Sequence, residues 1–136
     1  MPELKKFLAI ILFICTSAVF AQQKLLIPMD VNSQTDHLRA YGIAYRHLLG
    51  GKELDWLLNY RGGSFMFDYT SELTAECMAK GVSYELLSGT QAAQVYAEVQ
   101  NENNNMDLVR LEKVAKIAVY VPPNALPWDD AVQLAL

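Results

Sequence analysis

KLLIPMDVNSQTDHLRAYGIAYRHLLGGKELDWLLN, residues 24–59, reads as a strand, a helix and a second strand. Lys24 to Asp30 is an apolar run closing in a polar turn. Ser33 offers an N-cap, with Asp36 three residues on as a loose capping box. Leu38, Tyr41, Tyr45, Leu48 and Leu49 recur at helical spacing and predict a helix to about Leu49. Gly50 and Gly51, tolerant of positive φ, end it. Glu53 to Asn59 then alternates, with Leu54, Trp56 and Leu58 on one face and Asp55, Leu57 and Asn59 on the other. Two strands joined through a helix by short links predict a βαβ unit with parallel strands.

Working outward, Arg61-Gly62-Gly63-Ser64 reads as a turn. Phe65, Phe67 and Tyr69 alternate with Met66 and Asp68 as a third strand. Ser71 caps a short helix that Gly81 closes, and Val82 to Leu87 alternates again. Ser88 or Thr90 caps the next helix, whose apolar face is Ala92, Val95, Tyr96 and Val99. Asn101 to Asn105 is a polar loop and a candidate boundary or insertion. Met106 to Val114 suggests a short helix. Lys116 to Val121 is a continuous apolar run suited to a buried strand, stopped by Pro122 and Pro123. Pro127 fits the first turn of a last helix. The expected fold is α/β, a mostly parallel sheet with packed helices, incomplete at the C-terminus. The expected organisation is a leader over 1–21, an α/β domain over 22–114, and the first strand and helix of a following domain over 115–136.

The leader rests on Lys5 and Lys6 followed by the apolar run Phe7 to Phe20, with Ala21 at a cleavage position. That is the pattern of a secretory signal peptide, and it predicts export to the periplasm or beyond. The run is too short to cross a bilayer as a helix, and the remaining sequence predicts no membrane association. Removing Lys5, Lys6 and Glu3 takes the net charge from −4 to −5. An acidic chain without a basic cluster excludes nucleic acid as an expected partner. Only Cys77 remains after cleavage, so no intrachain disulfide is expected, and a small buried residue is the favoured reading of it.

The sequence nominates one site: Arg61, Gly62, Gly63 and Ser64, with Asp55 upstream. The glycines would let backbone approach an anion closely, and Arg61 could grip a carboxylate or phosphate with both arms of its guanidinium. Ligands gather at the carboxyl ends of strands in open α/β sheets. The alternative is a hairpin turn, with Arg61 solvated or paired to Asp68 or Asp55. The segment is neither a P-loop nor a dinucleotide fingerprint. His37 and His47 lie ten residues apart and cannot hold one ion together. No His-x-x-x-His or Cys-x-x-Cys pair exists, so neither a metal nor another cofactor is expected. Asp129 and Asp130 fit the first turn of a helix, where they complement its dipole. There is no Gly-x-Ser-x-Gly elbow to make Ser64 a nucleophile.

Three blocks together, KLLIPMD (24–30) with DHLRAYGIAY (36–45), LDWLLNYRGGSF (54–65) and KIAVYVPPNALPWDDAV (116–132), carry a resemblance. They are similar to the N-terminal part of a family of exported bacterial proteins often labelled asparagine synthetase B. The last block resembles the opening strand and helix of a class I glutamine amidotransferase-like domain. The resemblance implies a longer chain whose catalytic residues lie beyond residue 136. Synthetase chemistry of that name needs a cysteine after Met1, where Pro2 stands, and a Ser-Gly-Gly-x-Asp-Ser loop, which Arg61–Ser64 is not. Three functions follow as expectations. One is a binding or scaffold region whose partner is the remainder of its own chain. Another is one wall of an amidotransferase-like or hydrolase site. The third is a carbohydrate- or peptide-binding module using Trp56, Tyr60 and Arg61.

Overall fold

The computed structural model describes residues 22–116. The expected leader over 1–21, and residues 117–136 of the expected following domain, lie outside the described residues. Five strands and three helices follow in chain order: β1 (Lys24–Ile27), α1 (His37–Leu49), β2 (Leu54–Leu58), a 3-10 turn (Tyr60–Gly62), β3 (Ser64–Asp68), α2 (Ser71–Lys80), β4 (Glu85–Leu87), α3 (Gly89–Val99) and β5 (Asp107–Leu111).

The strands form one sheet in the order β4-β1-β3-β2-β5, and every neighbouring pair is antiparallel. This corrects the expected mostly parallel sheet. β1 and β2 do point the same way, because each runs antiparallel to β3. They are not neighbours: β3 returns through a tight turn and lies between them. The reason is in the side chains. Ser64 to Phe67 is buried on both faces, as is Leu25 to Ile27. Strands apolar on both sides belong at the centre of a sheet, since an edge would leave that surface in water. The first six regular elements thus follow the split β-α-β-β-α-β connectivity of the ferredoxin-like motif, and α3 and β5 extend it.

Helices cover both faces. Leu25, Ile27, Leu54, Phe65 and Phe67 meet Ala40, Ile43 and Ala44 of α1 and Leu73 and Cys77 of α2. On the opposite face Leu26, Leu57, Met66 and Leu87 meet Ala92 and Val99 of α3, with Val95 and Tyr96 packed beside them. The α3 face is the one its spacing predicts. Each fully buried side chain of this size contributes about 1.5–3 kcal/mol.

Local signals explain the helix ends. α1 begins one turn later than the Ser33 cap implies. Ser33 instead closes a turn on Asp30, and Asp36 accepts the Arg39 N–H at 3.0 Å as the true N-cap. Thr70 caps α2, and Gly81 at φ 66° ends it. Ser88 and Gln91 form a reciprocal capping box on α3.

Two further expectations are corrected. Residues 107–111 are a strand, not a helix: Asp107 to Leu111 pairs along Leu58 to Leu54, and its alternation sends Leu108 to one core and Leu111 to the other. The regularly spaced apolar residues of α1 mostly face outward, Leu38 being 84% exposed and Leu49 62%. The small residues Ala40 and Ala44 face the sheet instead, letting the helix approach closely. No helix among the described residues is long and apolar enough to cross a membrane.

Candidate functional site

The shared direction of β1 and β2 puts their carboxyl ends on one edge of the molecule, and there the nominated turn closes. Asn59 and Arg61 both hold positive φ, 61° and 45°, a region that costs a residue with a side chain. Gly62 and Gly63 follow at 82° and 91°. The Met29 N–H donates to the Arg61 carbonyl at 3.1 Å, drawing the turn onto the end of the β1 segment. At Gly62 the contact is so close that an added Cβ would lie 2.5 Å from the Met29 carbonyl oxygen. Gly63 offers its carbonyl to the Trp56 indole N–H at 3.0 Å. Ser64 is fully buried, and its hydroxyl donates to the Tyr60 carbonyl at 2.9 Å. Gly62 therefore serves an approach of backbone to backbone, and Gly63 lies against the Trp56 indole.

Arg61 is held on three sides. Its Nε donates to Asp30 at 3.2 Å, its Nη1 and Nη2 grip the two oxygens of Glu85 at 2.9 and 2.8 Å, and Nη2 also reaches the Ser33 hydroxyl at 3.0 Å. Hydrogen bonds from Ser33, and then from Arg61, hold the Asp30 carboxyl below its ordinary range. Glu85 foremost, and then Asp30, raise the guanidinium further. Two carboxylates around one cation leave the cluster net negative.

The fifth nominated residue, Asp55, belongs to a different group. It is only 6% exposed and points to the α3 side of the sheet. It accepts the Tyr96 hydroxyl at 2.6 Å and Arg110 Nη1 at 2.9 Å, while Arg110 Nε and Nη2 hold Glu53 at 3.0 and 2.8 Å. Burial, and then the bond to Asp55, push the Tyr96 hydroxyl well up. Glu53, and then Asp55, do the same for Arg110. The structure thus brings Arg61, Gly62, Gly63 and Ser64 together and gives Asp55 separate partners.

Trp56, Tyr60 and Arg61 do not make one binding face. Trp56 packs into the α1/α2 core and Tyr60 into the α3 core, on opposite sides of the sheet. His37 donates from Nε2 to the Met29 carbonyl at 3.0 Å. His47 lies edge-on to Phe67 at 5.0 Å between ring centres, and burial lowers its pKa. Cys77 is buried, and burial raises its thiol to about 11, which keeps it protonated and unreactive. No group of three or more His, Cys, Asp or Glu side chains gathers to hold a metal among the described residues.

Asp30, Glu85, Tyr96 and Arg110 complete these groups beyond the residues the sequence nominates. Asp30-x-x-Ser33 carries a local turn signal. Strand order brings in Glu85 and Arg110, the packing of α3 on the sheet brings in Tyr96, and reading 107–111 as a strand opposite β2 would have placed Arg110 beside Asp55. No protein-family model, curated protein or solved structure matches this chain.

Proposed function

We propose that residues 22–116 form a non-catalytic scaffold domain of an exported protein. The observation that carries this reading is the closed partnership of Arg61. Its donors face Asp30, Glu85 and Ser33, and its backbone is tied to Met29. A group arranged to receive an anion presents donors without competing carboxylates; this one is a latch between the β1–α1 loop, the β2–β3 turn and the start of β4. The export component is supported by the pattern of residues 1–21, and N-terminal sequencing of the periplasmic product tests it. A mature chain beginning at Gln22 is expected, and one retaining Met1 would exclude it.

Thermal melting with rising inorganic phosphate tests the scaffold reading. The parent chain is expected to melt at the same temperature across the titration, and Arg61→Ala to melt lower at every concentration. A saturable rise in the parent that Arg61→Ala abolishes would instead identify the turn as an anion site.

A further inference from the structure

The outer face of α1 carries an apolar row with a notch in it, left open by the described residues. Leu38, Tyr41, Tyr45 and Leu49 are all exposed. Among them Gly42, also exposed, stands near the middle of a 13-residue helix. After proline, glycine is the residue least suited to a helix interior. A Cβ at Gly42 would meet nothing within 4 Å, so no close approach inside the described chain calls for a glycine there. A glycine at such a place lets a neighbouring surface come close.

The row is complementary to itself. Leu38, Gly42, Tyr45 and Leu49 follow at spacings of four, three and four, which put them in one line along the helix and read the same in either direction. Two such helices laid antiparallel about a two-fold axis set Leu38 of one copy against Leu49 of the other, and Gly42 against Tyr45, each pair occurring twice. The Tyr45 ring then enters the space that Gly42 leaves empty, as a ridge enters a groove. On one flank Phe65 holds the Tyr41 ring edge-on at 5.5 Å, beside an apolar groove walled by Trp56 and Leu111. On the other flank Arg39 and Arg46 are already paired to Asp36 and Glu76, so two copies bring no bare like charges together. At the exposures of the four large residues, covering the row in both copies takes about 1,000 Å² out of water, the size at which specific interfaces begin.

We infer that a second copy of this chain covers the row, α1 packing on α1 in an antiparallel, two-fold contact built on the Gly42–Tyr45 pairs. In sedimentation velocity the full chain is expected to run as a dimer at micromolar concentration and to dissociate on dilution. Gly42→Glu puts a better helix former into space that is open in a single copy, so circular dichroism should show the fold kept. In the dimer the same side chain meets Tyr45 of the other copy, and the dissociation constant should rise about tenfold or more. A second arm does not depend on that variant. In a Cys15→Ser background, Leu38→Cys and Leu49→Cys together should oxidise to a covalent dimer, while either alone should stay unlinked. The two positions lie about 16 Å apart along one helix, too far to bridge within a chain, and Cys77 is buried. A monomeric parent overturns the inference, whether the row then stays in water or the rest of the chain covers it. A dimer indifferent to Gly42→Glu also overturns it, because the contact would lie elsewhere. So does an unlinked double variant, or linkage as strong in either single one, because the register would be wrong. Should Gly42→Glu lose its fold, the cross-link decides alone. The inference goes beyond the scaffold reading, and none of its measurements involves phosphate or Arg61, so either can fail alone.

Discussion

Arg61 and Arg110 use the same chemistry in different surroundings. Each bridges two carboxylates drawn from distant parts of the sequence. Arg61 holds Asp30 and Glu85, whose side chains are 25% and 44% exposed. Arg110 holds Glu53, whose side chain is half exposed, and Asp55, whose side chain is only 8% exposed. Arg61 stands on strained backbone in a turn, and Arg110 stands on a relaxed edge strand. What differs is what each would leave behind. Water can resolvate Asp30 and Glu85, whereas Asp55 would be left beneath α3 with Tyr96 as its remaining side-chain partner. The bond count therefore does not set the value of an arginine here; the depth of its carboxylates does.

The largest effect should come from the backbone of the Arg61 turn. Gly62→Val adds overpacking against Met29 to a disfavoured positive φ, and urea unfolding is expected to show a loss of about 4 kcal/mol. Stability near that of the parent would mean the turn does not close on Met29. Next comes Arg110→Ala, with a loss of about 2–3 kcal/mol, somewhat below the usual cost of breaking a buried pair because Arg110 itself is half exposed. Arg61→Ala should lose only about 1 kcal/mol by the same measurement. The reverse order for these two arginines would show that the depth of the carboxylates does not decide their worth.

Two finer measurements sharpen it. Tyr96→Phe removes the 2.6 Å bond to Asp55 and should cost about 1 kcal/mol. Combined with Arg110→Ala its effect should not add, because both changes act on one carboxylate. The smallest effect is an acid limb. Asp30 titrates below its ordinary 3.8 in the folded chain, so its contribution is complete above that pH and is lost as pH falls through the lower folded value. A series of melts toward pH 2 should show this decline flattened in Arg61→Ala.

Much of the local structure is legible in the sequence, because local forces decide it. Ser88 with Gln91, the Gly81 stop and the face of α3 are settled by neighbours three or four residues away. Strand order is not local. The link from β1 to β2 predicts their common direction, but only the two-sided apolar character of β3 explains why it lies between them. The same distinction divides the site. Glycine punctuation marks the turn at Arg61–Ser64, yet Glu85 lies 24 residues away and arrives through β4 pairing with β1. The outward face of α1 misleads for another reason. Its large apolar residues have the spacing of a buried stripe, while the alanines beside them set how closely the helix meets the sheet.

The position of β1 has a consequence for assembly. The first strand among the described residues is the second in the sheet, and both its partners, β3 and β4, come much later in the sequence. Among the described residues β5 is the last strand and lies on an edge, with β2 as its one neighbour. The two ends of the domain are therefore unequal under truncation. Cutting away 24–27 removes the only strand linking β4 to the rest of the sheet. Cutting away 107–111 strips one margin and leaves the β4-β1-β3-β2 ribbon continuous. A protease that cuts between Ile27 and His37 and releases β1 should thus leave the fold exposed to collapse, whereas trimming inward from Lys116 should be survived until it passes the Asn101–Asn105 loop.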